Sequence, residues 1–157
     1  MIIFRIGHKK YVGSLVASGV NGRWASAGKR VIYGAENIPL AFLENMIRRQ
    51  GVGFNDDFKI SCIEIPDDLL ISAIDVHSLD PDWRDPYDYS YCQPLGNKWF
   101  DDMRMPVLKV PSAVMPESFN YVINTIHPDF KKIKLVAVTD LIPDVRIEDI
   151  LKKYPAS

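Results

Sequence analysis

Most of the features that announce a protein's chemistry are scarce in this sequence. Only two of its 157 residues are cysteines, Cys62 and Cys92, and they form no CxxC pair, so neither a disulfide framework nor a zinc ribbon is suggested. The three histidines, His8, His77 and His127, stand far apart and outside any HExxH pattern, and no metal site is expected from them. No apolar run approaches the roughly 18 residues of a membrane span. The first ten residues, "MIIFRIGHKK", place their apolar part before their basic part and are too short for a secretory leader, so the cytosol is the expected location. There is no basic excess either. A formal net charge of −1 argues against a protein that lives on a phosphate backbone, and no direct nucleic-acid binding is expected. A GxSxG nucleophile elbow is missing, since Ser112 lies in "VPSAV", and Cys92 has no recognisable nucleophile surround.

What remains is ordinary globular usage, with 47% hydrophobic and 25% charged residues. This length suits one domain spanning residues 1–157. Candidate strands are 2–6, 30–34, 58–65, 70–74, 106–110, 121–124 and 132–138. One helix is predicted to open at Pro39 and close near Gly51, with Leu40, Leu43 and Ile47 on its buried arc. "GVGF" (51–54) then reads as a helix stop and turn, and a second helix is predicted over 146–154. Between Asp75 and Asp102 the chain is polar, rich in proline and aromatic residues, and poorly periodic, which reads as a long loop with one or two short helices. Strands and helices do not alternate regularly, so the expected class is α+β with largely antiparallel sheets and flanking helices.

The segment "GRWASAGKR" (22–30) nearly matches a phosphate-binding P-loop but fails it. Five residues separate Gly22 from Gly28 where four are required, Arg30 stands where a hydroxyl should be, and a strand pattern follows in place of a helix. More interesting is the set Arg23, Tyr33 and Glu44. Glu44 lies at the edge of the helix's apolar arc, so its carboxylate is partly desolvated. Tyr33 ends a strand just before that helix begins. Arg23 carries the planar, permanent charge suited to a diphosphate or carboxylate, in surroundings small enough for a ligand to approach the backbone. On spacing alone the plainer reading is a surface Glu44–Arg48 ion pair, a solvated phenol and an arginine paired elsewhere.

A longer ordered series of segments shifts that balance. "ASGVNGRWASAGKRVIYGAENIPLAFLE" (17–44), "IEIPDDLLI" (63–71), "QPLGNKW" (93–99), "VLKVPSAVMPESFNYVINTIHPDF" (107–130) and "DLIPDVRI" (140–147) resemble, in order, the RES-domain family, the toxins of RES–Xre toxin–antitoxin pairs. The arginine, glutamate and serine that name the family fall on Arg23, Glu44 and Ser112. Ala25 stands where asparagine is usual, Asn97 where aspartate is common and Thr125 where proline is common. The resemblance implies an ADP-ribosyltransferase-like fold around an NAD cleft, with NAD as substrate rather than cofactor and with no metal. It implies cleavage of the nicotinamide–ribose bond by a glycohydrolase or phosphorylase, with depletion of NAD and growth arrest. Alternatives are a protein mono-ADP-ribosyltransferase with a dedicated target, or a non-catalytic binding module. An Xre-type helix-turn-helix antitoxin is the implied partner, and water, phosphate or a protein the acceptor. In the implied site Arg23 anchors the diphosphate and Glu44 stabilises the developing ribose cation. Tyr33 orients the nicotinamide, Ser112 contacts ribose or phosphate, and Trp24 and Ser26 line the cleft.

Overall fold

The computed structural model describes residues 1–49 and 56–153. The turn expected at 51–54, and the far ends of the helices expected to reach Gly51 and Tyr154, lie outside the described residues. Seven strands form where strands are expected: β1 (Ile2–His8), β2 (Val31–Ala35), β3 (Phe58–Glu64), β4 (Ile71–Ala73), β5 (Val107–Pro111), β6 (Phe119–Asn124) and β7 (Lys134–Asp140). They join in one sheet of order β4-β5-β6-β2-β1-β3-β7. Every neighbouring pair is antiparallel except β4 with β5. This is an α+β architecture.

The sheet is nearly divided in two. β1 runs in full register with β3, and β2 with β6, but β1 and β2 meet in register at a single pair, Phe4 opposite Ala35. Strand alternation gives each half a buried side. Ile3, Ile32, Ile63, Val107, Tyr121 and Ile123 fill the core on one face. The opposite face carries two separate clusters. One gathers Ile6, Ala35, Leu40, Ala41 and Ile60 beneath α1 (Ile38–Arg48). The other gathers Trp24, Val31, Trp83, Trp99, Phe100, Leu108 and Val122 beneath α2 (Cys92–Asp102).

α1 starts where its sequence says it should. The Asn37 side chain caps it by accepting from the Leu40 N–H at 2.8 Å, and Pro39 sits in its first turn. Its orientation differs from the expected arc, because Ile47 is 64% exposed and the buried positions are Leu40 and Ala41. The reason is tertiary: Leu40 and Ala41 pack on Ile6, Ala35 and Ile60, and Asn45 Nδ2 donates to the Ile6 carbonyl, so the Ala41–Asn45 row lies on β1. The neighbouring row, Leu40–Glu44–Arg48, then faces the seam between the two clusters.

α2 gives a second expectation its bounds. The stretch read as a long loop with one or two short helices ends in eleven residues of helix, despite Pro94, Gly96 and Asn97. Pro94 falls in the first turn, where its missing N–H is harmless, and burial of Cys92, Gly96, Trp99 and Phe100 on one side outweighs weak propensity. The rest of the stretch contributes a short tight turn of helix at Val76–Ser78. α3 (Val145–Lys153) forms close to its expected position and buries no residue.

Candidate active site

Glu44 is where the sheet, α1 and the loop after β5 converge. Its Oε1 accepts two hydrogen bonds, from Ser112 Oγ at 2.7 Å and from Asn120 Nδ2 at 2.6 Å. Ser112 is wholly buried, and its Oγ also accepts from the amides of Val114 and Met115, each at 3.1 Å. Those two amides fill the hydroxyl's lone pairs, so its one proton is directed at the carboxylate. Glu44 is thus held by two neutral donors. It forms no ion pair with Arg48, and Oε2 makes no hydrogen bond among the described residues. Asn120 went unnoticed in the sequence. Only the register, which sets Asn120 opposite Ala35 and Val110, shows that it faces the same side as Tyr33 and Ser112.

Tyr33, opposite Val122 on β2, points to that same face. Its ring is largely buried and its hydroxyl finds no well-aligned partner among the described residues. Burial pushes its pKa up to about 12, although the nearby Trp24 and Ala25 amides and the charge of Arg48 pull the other way. The hydroxyl lies close against the 22–25 turn, where a Cβ on Gly22 would come within 2.6 Å of it. Only a residue without a side chain lets the turn close over the phenol. An unfolded tyrosine ionises near pH 10, so the folded state binds the proton more tightly. Tyr33 therefore leaves stability unaffected below about pH 10 and erodes it as pH rises from there towards about 12. Tyr33→Phe should flatten this alkaline loss in denaturant titrations between those pH values; an unchanged slope would show that the phenol is not held neutral by the fold.

Arg23 stands on the same turn but is not joined to Glu44. Its Nη1 donates to the Trp83 carbonyl at 2.6 Å and its Nη2 to the Asp85 carbonyl at 3.1 Å, and the guanidinium lies 4.8 Å from the Tyr89 ring centre. Its Nε–H makes no hydrogen bond among the described residues. Arg84, in that same segment, donates from Nε to the carbonyl of Ala113, next to Ser112. The segment 83–85 is thereby tied to the Arg23 turn on one side and to the Ser112 loop on the other.

α2 holds the turn from beneath. Gln93 Nε2 donates to the Gly22 carbonyl at 2.8 Å. Asn97 accepts from the Ser26 amide at 3.0 Å and donates its Nδ2 to Ser26 Oγ, also at 3.0 Å. An aspartate at this position could accept but not donate. Ser26 is thus engaged with α2. Trp24 is 3% exposed and packs beside Trp83, so its indole belongs to the aromatic cluster. Ala25 is wholly buried, and the Thr125 hydroxyl donates to the Arg30 carbonyl.

Arg5 was also missed by sequence reasoning. It sits on β1 next to Phe4, at the point where β1 and β2 part, and makes neither hydrogen bond nor ion pair among the described residues. Burial and the proximity of Arg48 lower its proton affinity. Cys92 is buried, which pushes its thiol up, away from a nucleophile's range. Among the described residues no three His, Cys, Asp or Glu side chains gather as a metal would require.

Fold and site together define a class: a small α+β domain with a nearly split sheet, and at the seam one carboxylate held by two neutral donors. Comparison with known proteins gives the class its family. The chain belongs to the RES domain family, whose model matches residues 2–147. It is 33% identical to Toxin Res of Pseudomonas putida over 94% of this chain and 99% of that protein. It is 32% identical to Toxin Res of Photorhabdus laumondii over 84% of this chain and 86% of that protein. Identity to the Prs ADP-ribosylating toxin of a Sphingobium species is also 32%, over 80% of each. Its fold is similar to that of a chain in the crystal structure of the Mycobacterium tuberculosis MbcT–MbcA toxin–antitoxin complex. There the TM-score is 0.74 at 19% identity, covering 94% of this chain and 87% of that one.

Proposed function

We propose that this protein is the toxin of a toxin–antitoxin pair and cleaves the nicotinamide–ribose bond of NAD. The observation that carries this reading is Glu44, an anionic carboxylate with one oxygen fixed by Ser112 and Asn120 and the other uncommitted. Breaking an N-glycosidic bond builds positive charge on the ribose. A carboxylate preorganised by neutral donors stabilises that charge without having to reorganise, and its free oxygen can accept from a ribose hydroxyl. No acid is needed at the leaving group, because nicotinamide departs as a neutral molecule from a cationic ring. One carboxylate is therefore enough.

The remaining residues take supporting roles. Tyr33 offers the accessible part of its apolar ring to the nicotinamide, while its hydroxyl stays buried against the 22–25 turn. Ser112, buried and fully engaged, acts on the ribose through Glu44, whose carboxylate it fixes. Arg5 brings unneutralised positive charge to the diphosphate side, and Arg23 adds its Nε–H while bracing residues 83–85. Trp24 and Ser26 act indirectly, by anchoring the turn that carries Arg23. Such a toxin acts in the cytosol, where NAD is drawn down. Its partner is an antitoxin of the Xre helix-turn-helix type, seated over the entrance to the site.

The relative named as an ADP-ribosylating toxin favours a second reading, transfer of ADP-ribose to a protein. One experiment separates the two. The purified chain is incubated with NAD labelled in the adenosine moiety, with and without phosphate and with a cell extract. Free ADP-ribose or its 1″-phosphate supports the first reading, and label carried on an extract protein the second. Intact NAD in every arm would contradict both.

A further inference from the structure

The Ser112 hydroxyl owes its direction to the amides it accepts from, and one of those amides leads outwards to a charge. Arg84 Nε donates to the Ala113 carbonyl at 2.9 Å. That carbonyl and the Val114 N–H belong to one planar trans peptide unit and point opposite ways. The Val114 N–H donates to Ser112 Oγ at 3.1 Å, and Ser112 Oγ donates to Glu44 Oε1 at 2.7 Å. Guanidinium, peptide, hydroxyl and carboxylate therefore stand in one continuous line of hydrogen bonds. A cation on the carbonyl makes the N–H at the far end of the peptide a stronger donor, and the hydroxyl that accepts from it a stronger donor in turn. Arg84 is itself framed. The residue before it, Trp83, is buried beside Trp24. The fork of Arg23 holds the carbonyls of its two neighbours, Trp83 at 2.6 Å and Asp85 at 3.1 Å.

We infer that Arg84 is a positioning residue for Glu44. Through the Ala113–Val114 peptide it aims and strengthens the Ser112 hydrogen bond that fixes the carboxylate, and the Arg23 fork holds it in place to do so. The inference rests on the NAD-cleaving reading given above. Arg84 acts without touching the substrate, so its contribution falls on the rate of bond cleavage and not on binding. The turn that carries Arg23 is thereby connected to the carboxylate on α1 through protein alone, by way of a second arginine.

The test uses the full chain, with NAD as substrate and amide hydrogen exchange as a readout independent of activity. Arg84 is exposed, so Arg84→Ala should fold, with a melting temperature within about 4 °C of the parent. A hydrogen bond from a charged donor corresponds to about tenfold in rate when it acts on the transition state. Arg84→Ala should therefore lower kcat for NAD about tenfold and change KM by less than about twofold. Arg84→Lys, which keeps a charged donor, should recover part of the loss. In a Glu44→Gln background no charge is left to position, and Arg84→Ala should lower the residual rate by less than about twofold. With Glu44 in place it should also speed exchange of the Val114 amide about tenfold. Unchanged kcat, a loss carried by KM, or an equal loss of kcat in the Glu44→Gln background would each overturn the inference while leaving the cleavage reading intact. Val114 exchange that depends on Arg84, in a chain that leaves NAD intact, would preserve the link and remove the function. Unchanged exchange would overturn the link whatever the activity.

Discussion

Glu44→Gln should lower the rate of nicotinamide release from NAD by about a hundred- to a thousandfold in kcat, with KM changed far less. The substitution is unusually clean at this position. Glu44 Oε1 only accepts, from Ser112 Oγ and Asn120 Nδ2, and a glutamine carboxamide oxygen can accept from both in the same place. The shape and the network survive, and only the negative charge is lost. Removing one preorganised electrostatic partner of a transition state commonly costs two to three orders of magnitude. A loss confined to kcat marks an interaction made chiefly in the transition state. Ser112→Ala is the less clean companion, because it strips Glu44 of a donor and also leaves the Val114 and Met115 amides without their acceptor. Wild-type kcat in Glu44→Gln would remove the carboxylate from the mechanism.

Gly96→Ala should be the most damaging small substitution for the fold. A Cβ at this position would stand 1.7 Å from the Trp24 carbonyl oxygen, which is main chain and cannot rotate aside. Either α2 moves off or the 22–26 turn does, and both moves break the bonds from Gln93 and Asn97 to that turn. Overpacking against backbone destabilises by about 3 kcal/mol, which for a domain of this size lowers the melting temperature by roughly 6–12 °C. Because the same turn carries Arg23, activity at permissive temperature should fall as well. A calorimetric melting temperature within about 2 °C of the parent would mean that α2 and the turn do not pack this closely.

The sequence revealed the elements more readily than their relations. All seven strands were legible, the first and last through β-branched residues with alternating charges, and the start of α1 from Pro39, because those signals are local. The bounds of α2, inside a stretch read as loop with one or two short helices, were not, because its local propensity is poor and its stability comes from Trp99, Phe100 and Gly96 meeting a cluster built from distant segments. The arc of α1 was misjudged for the same reason: Leu40 and Ala41 pack on Ile6, Ala35 and Ile60 from distant strands, and Asn45 bonds to β1 beside them. Within the site, Glu44 and Ser112 stand out through the resemblance and Tyr33 through its place before the helix. Asn120 and Arg5 are ordinary strand residues by pattern, and only the strand order sets them on the seam. Arg23 is the instructive case. A free guanidinium in a small-residue turn suggested a phosphate ligand, but its Nη groups are engaged by the carbonyls of residues 83 and 85, which no spacing could disclose.

The most direct measurement is a crystal structure of the Glu44→Gln protein soaked with NAD, in which slow turnover preserves the substrate. The expected result is an intact dinucleotide with a hydroxyl of its nicotinamide ribose within hydrogen-bond distance of the substituted carboxamide on α1 and its ring against Tyr33. A dinucleotide bound with that ribose away from this side chain, or none bound at concentrations that saturate the parent enzyme, would contradict it.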